Sequence, residues 1–251
     1  MLIWLVLIPL IAAALIGLCK APARPTALLS ASLTLALGIW ALVSFDGCSS
    51  CWSRFEGMDL QLTLAPALSK VMLLLTILVT FATVLGTNPP QGGEASWYNS
   101  ALLISAGATG AFLSDNIISF FAFHELALIP TFVMIGLYGR GDRRTTAWRA
   151  TLYLGLASMV LLAALLMIGT QAGFTFSGLK DFMASGRELA HAELIGALLI
   201  AGFGTLISLF PFHSWAAPAY ASAPAPVAMM HAGVLKKFGL YGLFMFQPLM
   251  E

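Results

Sequence analysis

Three ionisable side chains stand near the middle of long apolar runs: Glu125 in IISFFAFHELALIPTFVMIGLY, and Lys236 and Lys237 in VAMMHAGVLKKFGLYGLFMF. A charge at the centre of a membrane-spanning helix costs about 2.5–3.5 kcal/mol on insertion scales, so one that persists faces a partner or a water-filled cavity. Desolvation raises the proton affinity of a carboxyl and lowers that of an ammonium, which draws both toward neutral pH. A carboxylate beside an ammonium keeps both ionised, whereas separating them favours proton uptake by one or release by the other. Glu125 and Lys237 on packed helices would therefore store a proton step as a change of geometry. The plainer alternatives are a structural hydrogen bond for Glu125 and a bundle-stabilising ion pair for Lys237. Lys236 and Lys237 diverge by about 100° around a helix, so both do not face one site. Lys70 is a weaker case, because its stem can snorkel to the interface.

Histidine adds groups that titrate near neutrality. His124 and His231 read equally well as relays or as neutral, hydrogen-bonded core residues. His213 follows Pro211 at the end of an apolar run. Proline removes a backbone donor and interrupts the helix, and broken helices at membrane depth line cavities or are buried in protein. That pattern favours His213 as a pathway residue. Pro130, five residues after Glu125, loosens the helix that carries the carboxylate. The stretch APAYASAPAP (217–226) is predicted to resist regular helix.

These residues need helices to hold them at depth, and the composition supplies little else. Of 251 residues 59% are hydrophobic and only 9% charged, against roughly a quarter charged in an ordinary soluble domain, so the bilayer is the partner that composition names. The net charge of +1, with Lys and Arg in short clusters, gives no nucleic-acid footprint. A span needs about 20 mostly apolar residues, and eight segments qualify: 2–18, 26–45, 63–86, 97–114, 116–138, 147–170, 193–212 and 227–247. The fold class is all-α polytopic membrane protein. The odd loops hold Lys20, Arg24, Arg140, Arg143, Arg144 and Arg149, while the even loops hold Arg54, Lys180 and Arg187. The excess places the N-terminus outside and loop 139–146 in the cytoplasm; eight spans then place the C-terminus outside. Basic residues follow the first segment rather than precede it, so it reads as a retained helix and not a secretory signal.

The longest polar stretch, 171–192, contains FSGLKDFMASG, which has the composition of a short amphipathic surface helix. Cys48 and Cys51 form a CxxC without a thioredoxin context, and two cysteines are too few for a structural zinc site; an incidental pair or a local disulfide is expected. Phosphate-cradling loops, nucleophile elbows and zinc-type histidine motifs are missing from the sequence, which argues against a catalytic centre in this chain.

The sequences FFAFHELALIPTFVMIGLYG (120–139) and FPFHSWAAPAYASAPAPVAMMHAGVLKKFGLYGLFMF (210–246) resemble the fifth helix and the seventh-to-eighth helices of the antiporter-like subunits of respiratory NADH:quinone oxidoreductase, and subunit M above all. The resemblance implies a proton-translocating subunit with no cofactor of its own. NADH, flavin, iron–sulfur clusters and quinone would belong to partner subunits of a multisubunit complex in the bacterial plasma membrane. It further implies two inverted five-helix repeats among about fourteen helices, each with a broken helix. Residues 1–96 would be the three leading helices and 97–251 the first repeat, the second being absent from this chain. Carried over by position, Glu125 matches the fifth-helix glutamate, Lys237 the eighth-helix lysine and His213 the histidine before the tryptophan, here Trp215.

This sequence departs from the pattern where charge matters most. The family's seventh-helix lysine, partner of the glutamate, falls seven residues before His213, at Leu206, and the proline two residues later is Ser208. Beyond the break, Pro218, Tyr220 and Ser222 occupy positions that are usually polar Asp, His and Glu. Lys236 is a lysine outside the pattern, and the resemblance leaves it as a substitute charge for Glu125. The rivals are a non-pumping scaffold, which Leu206 and the missing repeat suggest, and a subunit of a multisubunit cation/proton antiporter or membrane-bound hydrogenase.

Overall fold

The computed structural model describes residues 1–44, 49–55, 58–64, 66–89 and 92–249; Cys48 lies outside them. The described residues form a bundle in chain order: α1 (Ile3–Gly17), α2 (Ala23–Ser44), an antiparallel hairpin of β1 (Ser49–Phe55) and β2 (Met58–Thr63), α3 (Ala67–Gly86), α4 (Glu94–Leu113), α5 (Ile117–Tyr138), α6 (Arg143–Ala172), α7 (Phe176–Ala184), α8 (Ala192–Ile207), α9 (Ala216–Ser222), α10 (Ala225–Met230), a π-helical turn (His231–Leu235) and α11 (Lys236–Phe246). Among the described residues four helices, α2, α3, α5 and α6, are long and apolar enough to cross a membrane by themselves, and α1 and α8 are shorter apolar helices. The eight expected segments are present, with differences at their edges.

The third begins at Ala67, not at 63, because 58–63 is the second strand of the hairpin. Lys70 accordingly sits in the first turn of α3. The seventh stops at Ile207, where Ser208 takes a left-handed conformation (φ 62°), and resumes as α9. Residues Ala216–Ser222 are helical despite Pro218. Pro218 is the third residue of α9, where the backbone N–H would have no partner inside the helix, so its ring costs nothing there. The amphipathic segment in the polar stretch forms α7, capped by the Thr175 hydroxyl, which accepts from Gly178 N at 3.0 Å.

α4 is the axis of the bundle. Fifteen of its residues are buried, and the run of small ones from Ser105 to Ala111 lets neighbours close around it. At Gly107 the close neighbour is backbone: a Cβ there would stand 2.6 Å from the Phe123 carbonyl oxygen and 2.8 Å from the Ala127 nitrogen. Only glycine lets α5 approach this closely, at the level of Glu125. The loops alternate between two ends. At one end the hairpin, the α4–α5 turn and the α6–α7 turn are stitched together by Asp115 N to Gln61 O (2.9 Å), Phe176 N to Asp115 O (2.7 Å) and Ile117 N to Phe174 O (2.8 Å). At the other, Tyr138 donates to Gly93 O (2.6 Å), and Arg140 N donates to Ser222 O (2.8 Å).

Candidate proton-transfer site

Glu125 is carried by α5, whose start is fixed by the Asn116 side chain accepting from the amides of Ile118 and Ser119. Its side chain retains 30% exposure and lines a cleft of about 310 Å³ between α5 and α6, with Phe132, Trp148, Thr151 and Leu154 among the walls. Ser158 of α6 donates its hydroxyl to Glu125 Oε1 at 2.5 Å. His124 Nδ1 stands 3.2 Å from the same oxygen, without the alignment of a hydrogen bond. Charged or neutral, the carboxyl is thus held against two protein groups, neither of them a lysine. Ser158 escaped the sequence reading, although a serine alone in LASMVLLAALL is a usable signal.

Leu206 is buried in α8, with its Cβ 3.1 Å from where a side chain on Gly239 would begin. The position of the expected lysine is thus filled by an aliphatic side chain packed on α11. Lys237 begins the second residue of α11, and the next residue, Phe238, meets the His124 ring edge-on at 5.1 Å. Lys237 makes no ion pair among the described residues.

Lys236 and the π-helical turn belong to a second cluster. Lys236 Nζ lies 4.8 Å from the centre of the Tyr220 ring and 5.9 Å from that of Trp215, positions that favour a cation over an aromatic face. The Tyr220 hydroxyl and His231 Nδ1 are 3.0 Å apart. No ion pair joins Lys236 to Glu125 among the described residues. Tyr220 thus acquires a partner in His231, a connection the sequence reading did not make.

His213 lies in the break, exposed, with its ring 5.7 Å from that of Phe210. The break is bridged from inside by buried Trp215, whose indole N–H donates to Thr205 O at 3.1 Å. Glu125, His124, Ser158 and the start of α11 are therefore gathered, whereas His213 stands apart on the outer surface of the chain. No cluster of metal-ligating side chains occurs among the described residues.

Residues 114–251 match the family described as NADH:quinone oxidoreductase/Mrp antiporter, TM. The chain is 34% identical over 182 residues to NAD(P)H-quinone oxidoreductase chain 4 2 of Microcystis aeruginosa, covering 70% of this chain and 32% of that one. It is 32% identical over 200 residues to chain 4 1 of Synechococcus elongatus, covering 78% and 36%. It therefore spans about a third of the length of these curated relatives. Among solved structures, a chain of respiratory complex I from Thermus thermophilus with bound NADH superposes with a TM-score of 0.85 at 25% identity, over 100% of this chain and 53% of that one. A chain of the Mrp complex from Dietzia sp. superposes at 0.83 with 21% identity, covering 99% and 48%, a likeness of fold. The chain is an integral membrane protein and belongs to the NADH:quinone oxidoreductase/Mrp antiporter transmembrane family.

Proposed function

We propose that this chain is a proton-translocating subunit of an NAD(P)H–quinone oxidoreductase, of the subunit M or chain 4 type, coupling quinone reduction in neighbouring subunits to proton transfer. The observation that carries the reading is Glu125, a carboxyl held well inside α5 by Ser158 and against His124, open to a cleft. Glu125 and Lys237 are the proton-carrying residues. His213 is a relay at the break of the seventh span, and Lys236 works through Tyr220 and His231. Residues 97–251 act as one five-helix repeat behind three leading helices. Flavin, iron–sulfur clusters, NADH and quinone reside in partner subunits of the membrane complex. The N-terminus lies outside and loop 139–146 on the cytoplasmic face of a bacterial plasma membrane.

The rival with a specific observation behind it is a non-pumping scaffold, favoured by buried Leu206. Proton uptake by sealed vesicles containing the assembled complex separates the two. Glu125→Gln keeps size and hydrogen bonding and removes titration. A lower proton yield per electron at equal turnover supports translocation, and an unchanged yield with intact assembly supports the scaffold.

A further inference from the structure

We propose that His124, rather than a lysine, is the proton partner of Glu125 in this chain. The inference rests on the reading of Glu125 as a proton carrier. Adjacent helical residues normally diverge by about 100°, yet the His124 and Glu125 side chains lean together until Nδ1 and Oε1 are 3.2 Å apart. The imidazole is fully buried, and neither ring nitrogen has a hydrogen-bond partner among the described residues. An unpaired buried polar group is expensive, so a purely structural histidine in this position would be a poor solution. Thr34, Thr76, Thr87 and Thr131 each donate to a carbonyl one turn back, whereas the hydroxyls of Thr80, Thr83 and Thr109 have no hydrogen-bond partner among the described residues. His124 differs from these in standing 3.2 Å from a carboxyl oxygen.

The imidazole also has the position a partner needs. Its ring meets Phe238 edge-on, against the turn of α11 that opens with Lys236 and Lys237. Buried Leu206 offers no charge from α8. Proton exchange between the two groups is direct. With imidazolium and carboxylate, the Nδ1–H bond breaks and leaves its electron pair on nitrogen, an O–H bond forms at Oε1, and neutral imidazole stands beside neutral carboxyl. The reverse step restores the ion pair. Nε2, the second ring nitrogen, is buried and has no hydrogen-bond partner among the described residues. A neighbouring histidine thus supplies the reversible positive charge that a seventh-helix lysine would have given, with a shorter reach and no helix crossing.

The test uses the assembled complex in sealed vesicles, with proton yield per electron measured for the native chain, Glu125→Gln, His124→Phe and the double variant. Phenylalanine keeps a ring against Phe238 and removes both nitrogens. The expected result is that His124→Phe lowers the yield as far as Glu125→Gln at unchanged quinone turnover, and that the double variant falls no further, as residues acting as a unit do. An unchanged yield in His124→Phe alongside a loss in Glu125→Gln overturns the inference and leaves the proton-carrier reading standing. Unchanged yields in both overturn that reading itself. Should His124→Phe fail to assemble, His124→Gln gives the same comparison. Infrared difference spectra of native and Glu125→Gln complexes with ring-labelled histidine need no histidine substitution. A turnover-linked imidazole–imidazolium change present in the native complex and lost in Glu125→Gln supports the pair; its absence from the native complex overturns it.

Discussion

Glu125 owes its setting to side chains from two helices, and each contact makes a separate prediction. Ser158 donates its hydroxyl to the carboxyl from α6. Replacing it with alanine removes that donor and is expected to cost about 1 kcal/mol of stability. We expect Ser158→Ala to lower the proton yield to between the native value and that of Glu125→Gln, measured at equal quinone turnover; a native yield would remove Ser158 from the pathway. Lys236 is held over Tyr220, and Lys236→Met keeps the apolar stem while deleting the charge. On the proposed function this substitution lowers the yield as well, and an unchanged yield would dismiss Lys236 as a carrier. At this scale much was legible. Glu125 and the lysine pair stood out because charge is costly in an apolar run, and Leu206 stood out against the family pattern. Ser158 and the role of Tyr220 were not legible because they depend on which faces separate segments turn toward one another, and the approach of His124 to Glu125 was not because it depends on the rotamers two neighbours adopt within one helix.

Helices and loops were read from the sequence with unequal success. Apolar runs predicted α1, α2 and α5 closely, since hydrophobic length is a direct consequence of bilayer thickness. The hairpin was missed because Met58, Leu60 and Leu62 alternate with Asp59, Gln61 and Thr63 at the edge of an apolar run; period two was the available signal. The broken seventh span was foreseen from Pro211, but not α9, whose Pro218 falls where a helix tolerates it. The element that matters most for the site is α4, because Gly107 sets how closely α5 lies. Gly107→Val would drive a side chain into the backbone at Phe123 and Ala127. Overpacking of this kind costs about 1–3 kcal/mol. A lower unfolding midpoint of the purified complex is expected; a native midpoint would show that α5 yields without cost.

For the whole molecule, the loops at each end are joined to one another by backbone and side-chain hydrogen bonds, so the chain crosses back and forth as one unit. On the proposed orientation, the excess of Lys and Arg puts the odd loops on the cytoplasmic side. Cys19 supplies a native reporter, being exposed and free just beyond α1, beside Lys20. With Cys48 and Cys51 replaced by serine, a membrane-impermeant maleimide should label Cys19 in inverted vesicles and not in intact cells. Labelling only from the outside would reverse the topology.

The central claim is that Glu125 carries protons without a seventh-helix lysine. Its most direct test is the proton yield per electron of the assembled complex in sealed vesicles, native chain against Glu125→Gln, at matched quinone turnover. The account predicts a lower yield with assembly and turnover intact. An equal yield would contradict it and leave the chain a scaffold within the membrane arm.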